Sequence, residues 1–319
     1  MPNLDMPIKE LEKYTGTNPM PEDFDAYWDR AIAEMRSVDP QVELIPSDFM
    51  LPRADCFDLY FTGVGNARIH AKYVRPKFVP EPHPAVIRFH GYFDYSGPWN
   101  GMLPFVSQGY SMIYMDARGQ AGESEDTSKV RGTTFCGHIV RGLSEGAEKL
   151  LFRNIFLDAA ELAGIVMNLP EVDPERVGVL GDSQGGALTV ACAALEPRVK
   201  KAAPLYPFLS DYQRVWEMDL AKGSYLELST YMRQRDPLHE HEKEIFTTLG
   251  YIDVMNLAHR IRAEVLLGTG LLDDTVPAST QYALYSKLKG KKQHLIYPDY
   301  GHEPIHHFAD RAFQFLLDM

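Results

Sequence analysis

Three side chains set far apart in the chain, Ser183, Asp273 and His302, are of the types that together make a hydroxyl reactive. A neutral serine is a poor nucleophile, so a histidine must take its proton during attack and return one to the leaving group. A carboxylate must hold the imidazole in the right tautomer and stabilise its cation. Ser183 lies in Gly181-Asp182-Ser183-Gln184-Gly185, between the apolar run Val177–Leu180 and the helix-compatible run Ala187–Leu195. A G-x-S-x-G sequence between strand and helix marks a turn so sharp that the serine backbone is strained and side chains two residues to either side would collide. Gly181 and Gly185 remove those side chains. The turn would expose the Ser183 hydroxyl at a strand end, with the Gln184 backbone N–H aimed where an oxyanion forms.

The partners must arrive from other strand ends. Glu264–Thr269 reads as a late strand delivering Asp273, with Asp274 as the neighbouring rival, and Gln293–Tyr297 reads as the last strand, delivering His302. Asp182 adjoins the nucleophile and cannot curl round to the far side of the imidazole. Serine, then acid, then histidine, each after a successive strand, is the order of an α/β-hydrolase. In that arrangement the loop after the third strand supplies a second oxyanion donor. Here the strand Ala85–His90 runs into Gly91-Tyr92, which assigns the donor to the Tyr92 N–H, with Tyr92 and Phe208 as candidate walls of a small acyl pocket. His90 reads as a prop for its loop, and Arg118 as half of an ion pair beneath a glycine-rich loop. His302, His306 and His307 have no H-E-x-x-H pattern and no completing ligand, so no metal is expected.

The remaining elements fit one architecture. Phe24, Tyr27, Trp28, Ala31, Ile32 and Met35 fall at helical spacing and predict an N-terminal amphipathic helix. Cys56–Thr62 and Ala67–Val74 predict a hairpin at the antiparallel edge of the sheet. Tyr110–Asp116 and Lys201–Tyr206 read as strands, and residues 154–169 as a helix stopped by Pro170. Alternating strands and helices predict a mostly parallel twisted sheet flanked by helices. Residues 211–262 carry no convincing strand and predict a helical insertion over the strand ends. The whole of 1–319 reads as a single α/β-hydrolase domain.

A net charge of −12 disfavours nucleic acid and anionic membrane as partners. No apolar run is long enough to span a bilayer. The odd set Cys56, Cys136 and Cys192, with no secretory leader before Glu10, leads to the expectation of a reduced, cytoplasmic protein.

With these residues in hand, the sequence resembles carbohydrate esterase family 7, the acetyl xylan esterases and cephalosporin C deacetylases. The likeness covers nearly the whole chain. It rests on Pro21-Glu22-Asp23-Phe24, His90-Gly91-Tyr92, Arg118-Gly119-Gln120 with Gly122, Gly137-His138-Ile139 with Arg141-Gly142, Gly181-x-Ser183-Gln184-Gly185-Gly186, Pro207-Phe208-Leu209-Ser210-Asp211 and His302-Glu303. The resemblance implies that Ser183, Asp273 and His302 are the triad and that the Tyr92 and Gln184 backbones are the oxyanion donors. It also implies deacetylation of small acetylated carbohydrates and related acetyl esters without cofactor, by a hexamer whose sites face an inner cavity. The chain departs from the family at Glu148–Arg153, where many members carry a tyrosine-rich run. A thioesterase or peptidase on the same scaffold, and a noncatalytic sugar-binding protein, are the rival readings.

Overall fold

The computed structural model describes residues 4–131 and 138–319; Cys136 and Gly137 lie outside them. Nine strands among the described residues form one sheet: β1 (Glu43–Pro46), β2 (Ala54–Gly63), β3 (Ala67–Pro76), β4 (His83–Phe89), β5 (Ser111–Met115), β6 (Val172–Asp182), β7 (Lys201–Leu205), β8 (Glu264–Gly270) and β9 (Lys292–Tyr297). Their order is β1-β2-β3-β5-β4-β6-β7-β8-β9. Pairings from β1 through β2 and β3 to β5 are antiparallel, and those from β5 through β4 to β9 are parallel. This is the α/β-hydrolase sheet with an extra strand at its antiparallel edge.

That extra strand corrects the expectation that the β2–β3 hairpin forms the edge. β1 pairs with β2 over Glu43–Pro46, and only Leu44 in it is even partly covered. So short and exposed a segment carries no hydrophobic alternation from which to read a strand.

Strand residues separate by parity onto two layers. Ala85, Ile87 and Phe89 join the core under the helices Phe24–Ser37, Leu151–Met167 and Gln184–Leu195. Val86 faces the other way, into the core shared with Phe308, Ala312 and Leu316 of the helix His306–Leu317. Covered on both faces, β4 is buried at six of its seven residues, as the middle of a parallel sheet must be. The N-terminal helix docks through Trp28, whose ring lies 6.1 Å from that of Phe156. The helix expected over 154–169 begins earlier, at Leu151, because Leu151 and Phe152 are buried with the rest of its apolar face.

Between β7 and β8 the chain is helical, with Tyr212–Glu217, Leu226–Arg235, Glu242–Leu249 and Val254–Leu257. Asp211 ties this segment to the N-terminus: its carboxylate accepts from Tyr14 Oη at 2.7 Å and from the Asn18 backbone at 2.8 Å. Its own N–H donates to Asp253 at 2.9 Å.

The helix Leu151–Met167 carries a buried acid, Glu161, with one carboxylate oxygen unpartnered among the described residues. Burial, and the neighbouring Asp158 charge, push its pKa up from 4.5 to about 8. Below pH 4.5 folded and unfolded chains both hold this proton; as pH rises only the unfolded chain releases it, so stability falls until the folded group also titrates. Glu161→Gln removes that dependence. Denaturant unfolding across this pH range should show a smaller loss of stability with pH in the variant than in the parent, and parallel profiles would contradict the assignment.

Candidate active site

β6 ends at Asp182, and Ser183 takes φ 56°, ψ −120° before the helix Gln184–Leu195 begins. A non-glycine residue there is strained, and the surroundings leave it no room to relax. A Cβ on Gly181 would lie 2.4 Å from the Gly185 backbone, and one on Gly185 would lie 2.2 Å from the Phe89 carbonyl oxygen. The Ser183 N–H donates to Leu205 O at 3.1 Å, while its carbonyl accepts from Phe208 N and Ala187 N, each at 3.0 Å. β4, β6 and β7 therefore fix the turn together.

His302 follows β9, and its Nε2 lies 3.0 Å from Ser183 Oγ. Its Nδ1 lies 2.9 Å from Asp273 Oδ2. An Nδ1–H donated to that carboxylate leaves the Nε2 lone pair to accept the serine proton. The Asp273 side chain is fully buried, and its other oxygen accepts from the backbones of Thr275 at 3.0 Å and Val276 at 2.7 Å. These bonds hold the carboxylate in place without solvent. Asp274, the rival acid, is exposed. The loops carrying acid and base are joined by Leu272 N to Tyr300 O at 2.9 Å, and the Tyr206 ring packs 4.5 Å from the imidazole.

Opposite the histidine, the loops after β4, β5 and β6 meet through two glutamines. Gln120 Nε2 donates to Gln184 Oε1 at 2.6 Å, and Gln184 Nε2 donates back to Gln120 Oε1 at 3.1 Å. Gln120 Oε1 also accepts from Phe93 N at 3.0 Å. This reciprocal amide pair braces the segment carrying the Tyr92 and Gln184 backbone N–H groups. His90 serves the same loop: its Nε2 accepts from Ala117 N at 2.9 Å, so Nδ1 carries the proton and donates to Gly91 O at 2.7 Å. Burial holds its pKa below the ordinary histidine value, consistent with that neutral tautomer. Arg118 lies beneath, with Nε and Nη2 each 2.6 Å from a different oxygen of the buried Asp158.

Asp116 fixes the same region from below. Its carboxylate accepts from Ser96 N at 2.6 Å and Glu123 N at 3.0 Å, and lies 2.7 Å from His70 Nδ1. Burial alone would raise its pKa, but His70 and the two N–H donors take it down to about 2. Gly122 is the residue that fits above it, since a Cβ would lie 2.1 Å from the carboxylate carbon.

Tyr92 is partly buried, and its hydroxyl donates to Glu227 Oε1 at 2.5 Å. Glu227, from the helix Leu226–Arg235, is itself buried, which pushes its pKa up to about 8. Sequence reasoning missed this residue, because one acid in a mixed helical stretch carries no mark of burial. Phe208, expected as a pocket wall, has no exposed surface and packs against the rings of Tyr92 at 5.2 Å and Tyr225 at 4.3 Å. It stands behind Tyr92, so the solvent-facing side belongs to Tyr92. Among the described residues, no group of three or more His, Cys, Asp or Glu side chains is arranged to hold a metal ion. His307 Nδ1 pairs instead with Tyr297 Oη at 3.0 Å.

A model of the acetyl xylan esterase (AXE1) family matches residues 1–319. The chain belongs to the acetyl xylan esterase family. Acetyl xylan esterase 1 from Thermoanaerobacterium sp. JW/SL YS485 superposes with a TM-score of 0.97 at 58% identity, with 99% of either chain covered. The acetyl xylan esterase from Paenibacillus sp. R4 gives 0.92 at 34% identity, covering 98% of this chain and 99% of that one. Acetyl esterase Axe7A of Xylanibacter ruminicola is 27% identical over 297 residues, 90% of this chain. The chain spans 64% of that relative's length. An acylaminoacyl peptidase from Pyrococcus horikoshii, at 18% identity and TM-score 0.58, shares the fold alone.

Of the two glycines flanking Ser183, Gly185 would bring a Cβ closer to fixed backbone, 2.2 Å against 2.4 Å for Gly181. Gly185→Ala would drive a Cβ against the Phe89 carbonyl and displace Ser183, so turnover of an acetyl ester should drop by about a hundredfold or more. Steady-state rates of folded variant protein check this, and a rate within a few-fold of the parent would refute the steric account.

Proposed function

We propose that this chain is a serine esterase that removes acetyl groups from acetylated xylo-oligosaccharides and related small sugar acetates through an acyl-enzyme. The observation that carries the reading is the continuous hydrogen-bond chain Ser183 Oγ, His302 Nε2, His302 Nδ1, Asp273 Oδ2, at 3.0 and 2.9 Å, in a member of the acetyl xylan esterase family.

Ser183 Oγ attacks the acetyl carbonyl carbon as its proton passes to His302 Nε2. The carbonyl oxygen becomes an oxyanion, which the Tyr92 and Gln184 backbone N–H groups receive, the latter at the positive end of its helix. One such donor is worth about 2.7–4 kcal/mol of barrier where it has been removed. As the tetrahedral adduct collapses, the bond to the sugar oxygen breaks and that oxygen takes the proton from Nε2. The acetyl group then sits on Ser183. Water enters and gives its proton to Nε2, a second adduct forms, and acetate leaves as the serine recovers its hydrogen. Asp273 stays ionised throughout and stabilises the imidazolium in both halves.

The chemistry needs only an accessible acetyl ester, so the acetyl group of cephalosporin C falls within the same proposal. The hexamer implied by the family resemblance is part of it too. Ser183→Ala leaves binding groups intact and removes the nucleophile. It should lower acetate release from an acetylated xylo-oligosaccharide by roughly 10⁴ to 10⁶. Retention of near-normal release by the purified variant would exclude the acyl-enzyme route.

A further inference from the structure

Phe93, the residue after the Tyr92 oxyanion donor, combines strain, rigidity and exposure. Its φ is 64°, in the left-handed region that bulky side chains rarely enter. Its N–H is held by Gln120 Oε1 at 3.0 Å. One face of its ring stacks on Tyr92, with centroids 3.9 Å apart and planes inclined by 27°, and His138 meets it at 5.4 Å. The residue is nonetheless 44% exposed, as is Tyr95 at 46%, but it is Phe93 that adjoins Tyr92. A lone exposed aromatic residue requires no explanation, but one fixed in a strained conformation beside the reacting group does.

Position supplies the explanation. Adjacent Cα atoms are about 3.8 Å apart, so the Phe93 side chain leaves the backbone one residue from the Tyr92 N–H. An ester whose carbonyl oxygen is held by that N–H keeps its acetyl half in the site and its larger alcohol half toward solvent, the side on which Phe93 is exposed. A pyranose has faces of C–H bonds, whose positive edge suits the negative face of an aromatic ring. We propose that Phe93 is a stacking platform for the pyranose ring of the acetylated substrate, and hence determines the preference for sugar esters over acyclic ones. The inference rests on the deacetylase reading above. Gln120 enters it as a positioning residue that holds the Phe93 backbone.

The experiment compares kcat/KM of Phe93→Ala, Phe93→Tyr and the parent on an acetylated xylo-oligosaccharide and on ethyl acetate, which has no ring to stack. The ratio of the two values should shift against the sugar ester by about three- to tenfold in Phe93→Ala, and Phe93→Tyr should restore it. Equal loss on both esters would make the ring a structural support only and overturn the proposal, as would no loss on either. Equal loss accompanied by a change in oligomeric mass would assign the ring to a subunit contact and overturn it equally. If the parent released acetate from ethyl acetate but not from the sugar ester, the substrate class itself would be wrong; release from neither would overturn the esterase reading.

Discussion

The backbone of Ser183 is the constraint on which the rest depends. Its φ of 56° is unfavourable for a residue with a side chain, and it persists because neighbouring backbone leaves no alternative. The Phe89 carbonyl blocks any Cβ at Gly185, Leu205 accepts the serine N–H, and Phe208 and Ala187 hold its carbonyl. Strain at one residue is thus sustained by three parallel strands, whose cores are buried on both faces. The outcome is a hydroxyl at the tip of the turn with a helix N-terminus behind it.

Around that point the site has two halves with different construction. On the acid–base side, the connection is a short line of charge-assisted hydrogen bonds ending in a carboxylate shut off from water. The opposite side rests on the neutral Gln120–Gln184 amide pair and the His90 bridge from Gly91 to Ala117, with the Asp116 carboxylate clamping Ser96 and Glu123 below them. Backbone N–H groups on loops held by such fixed partners would meet a developing negative charge without reorganising. Glu227 brings the helical segment after β7 into this half by holding the Tyr92 hydroxyl.

The sequence was most legible where sterics or periodicity act on neighbouring residues. Gly181 and Gly185 marked the turn, the apolar runs of β4 and β6 marked buried strands, and the order of Ser183, Asp273 and His302 followed the strand order. Legibility failed where the deciding contact is long-range. β1 is too short and exposed to alternate, and Glu227 and Gln120 acquire their partners only through loops brought together by the sheet. Phe208 was expected as a wall of a small acyl pocket, but it has no exposed surface and packs against the rings of Tyr92 and Tyr225. Aromatic residues at a strand end can either line or support a site, and their order in the chain does not distinguish the two.

The central claim is that the acetyl group resides covalently on one hydroxyl part-way through turnover. Rapid acid quench of the enzyme during hydrolysis of an activated acetyl ester, followed by digestion and peptide mass measurement, tests it directly. The account predicts one added acetyl group on the peptide containing Ser183, formed before steady state and lost as substrate is exhausted. An acetyl group on a different residue with the same kinetics, and none on Ser183, would contradict it.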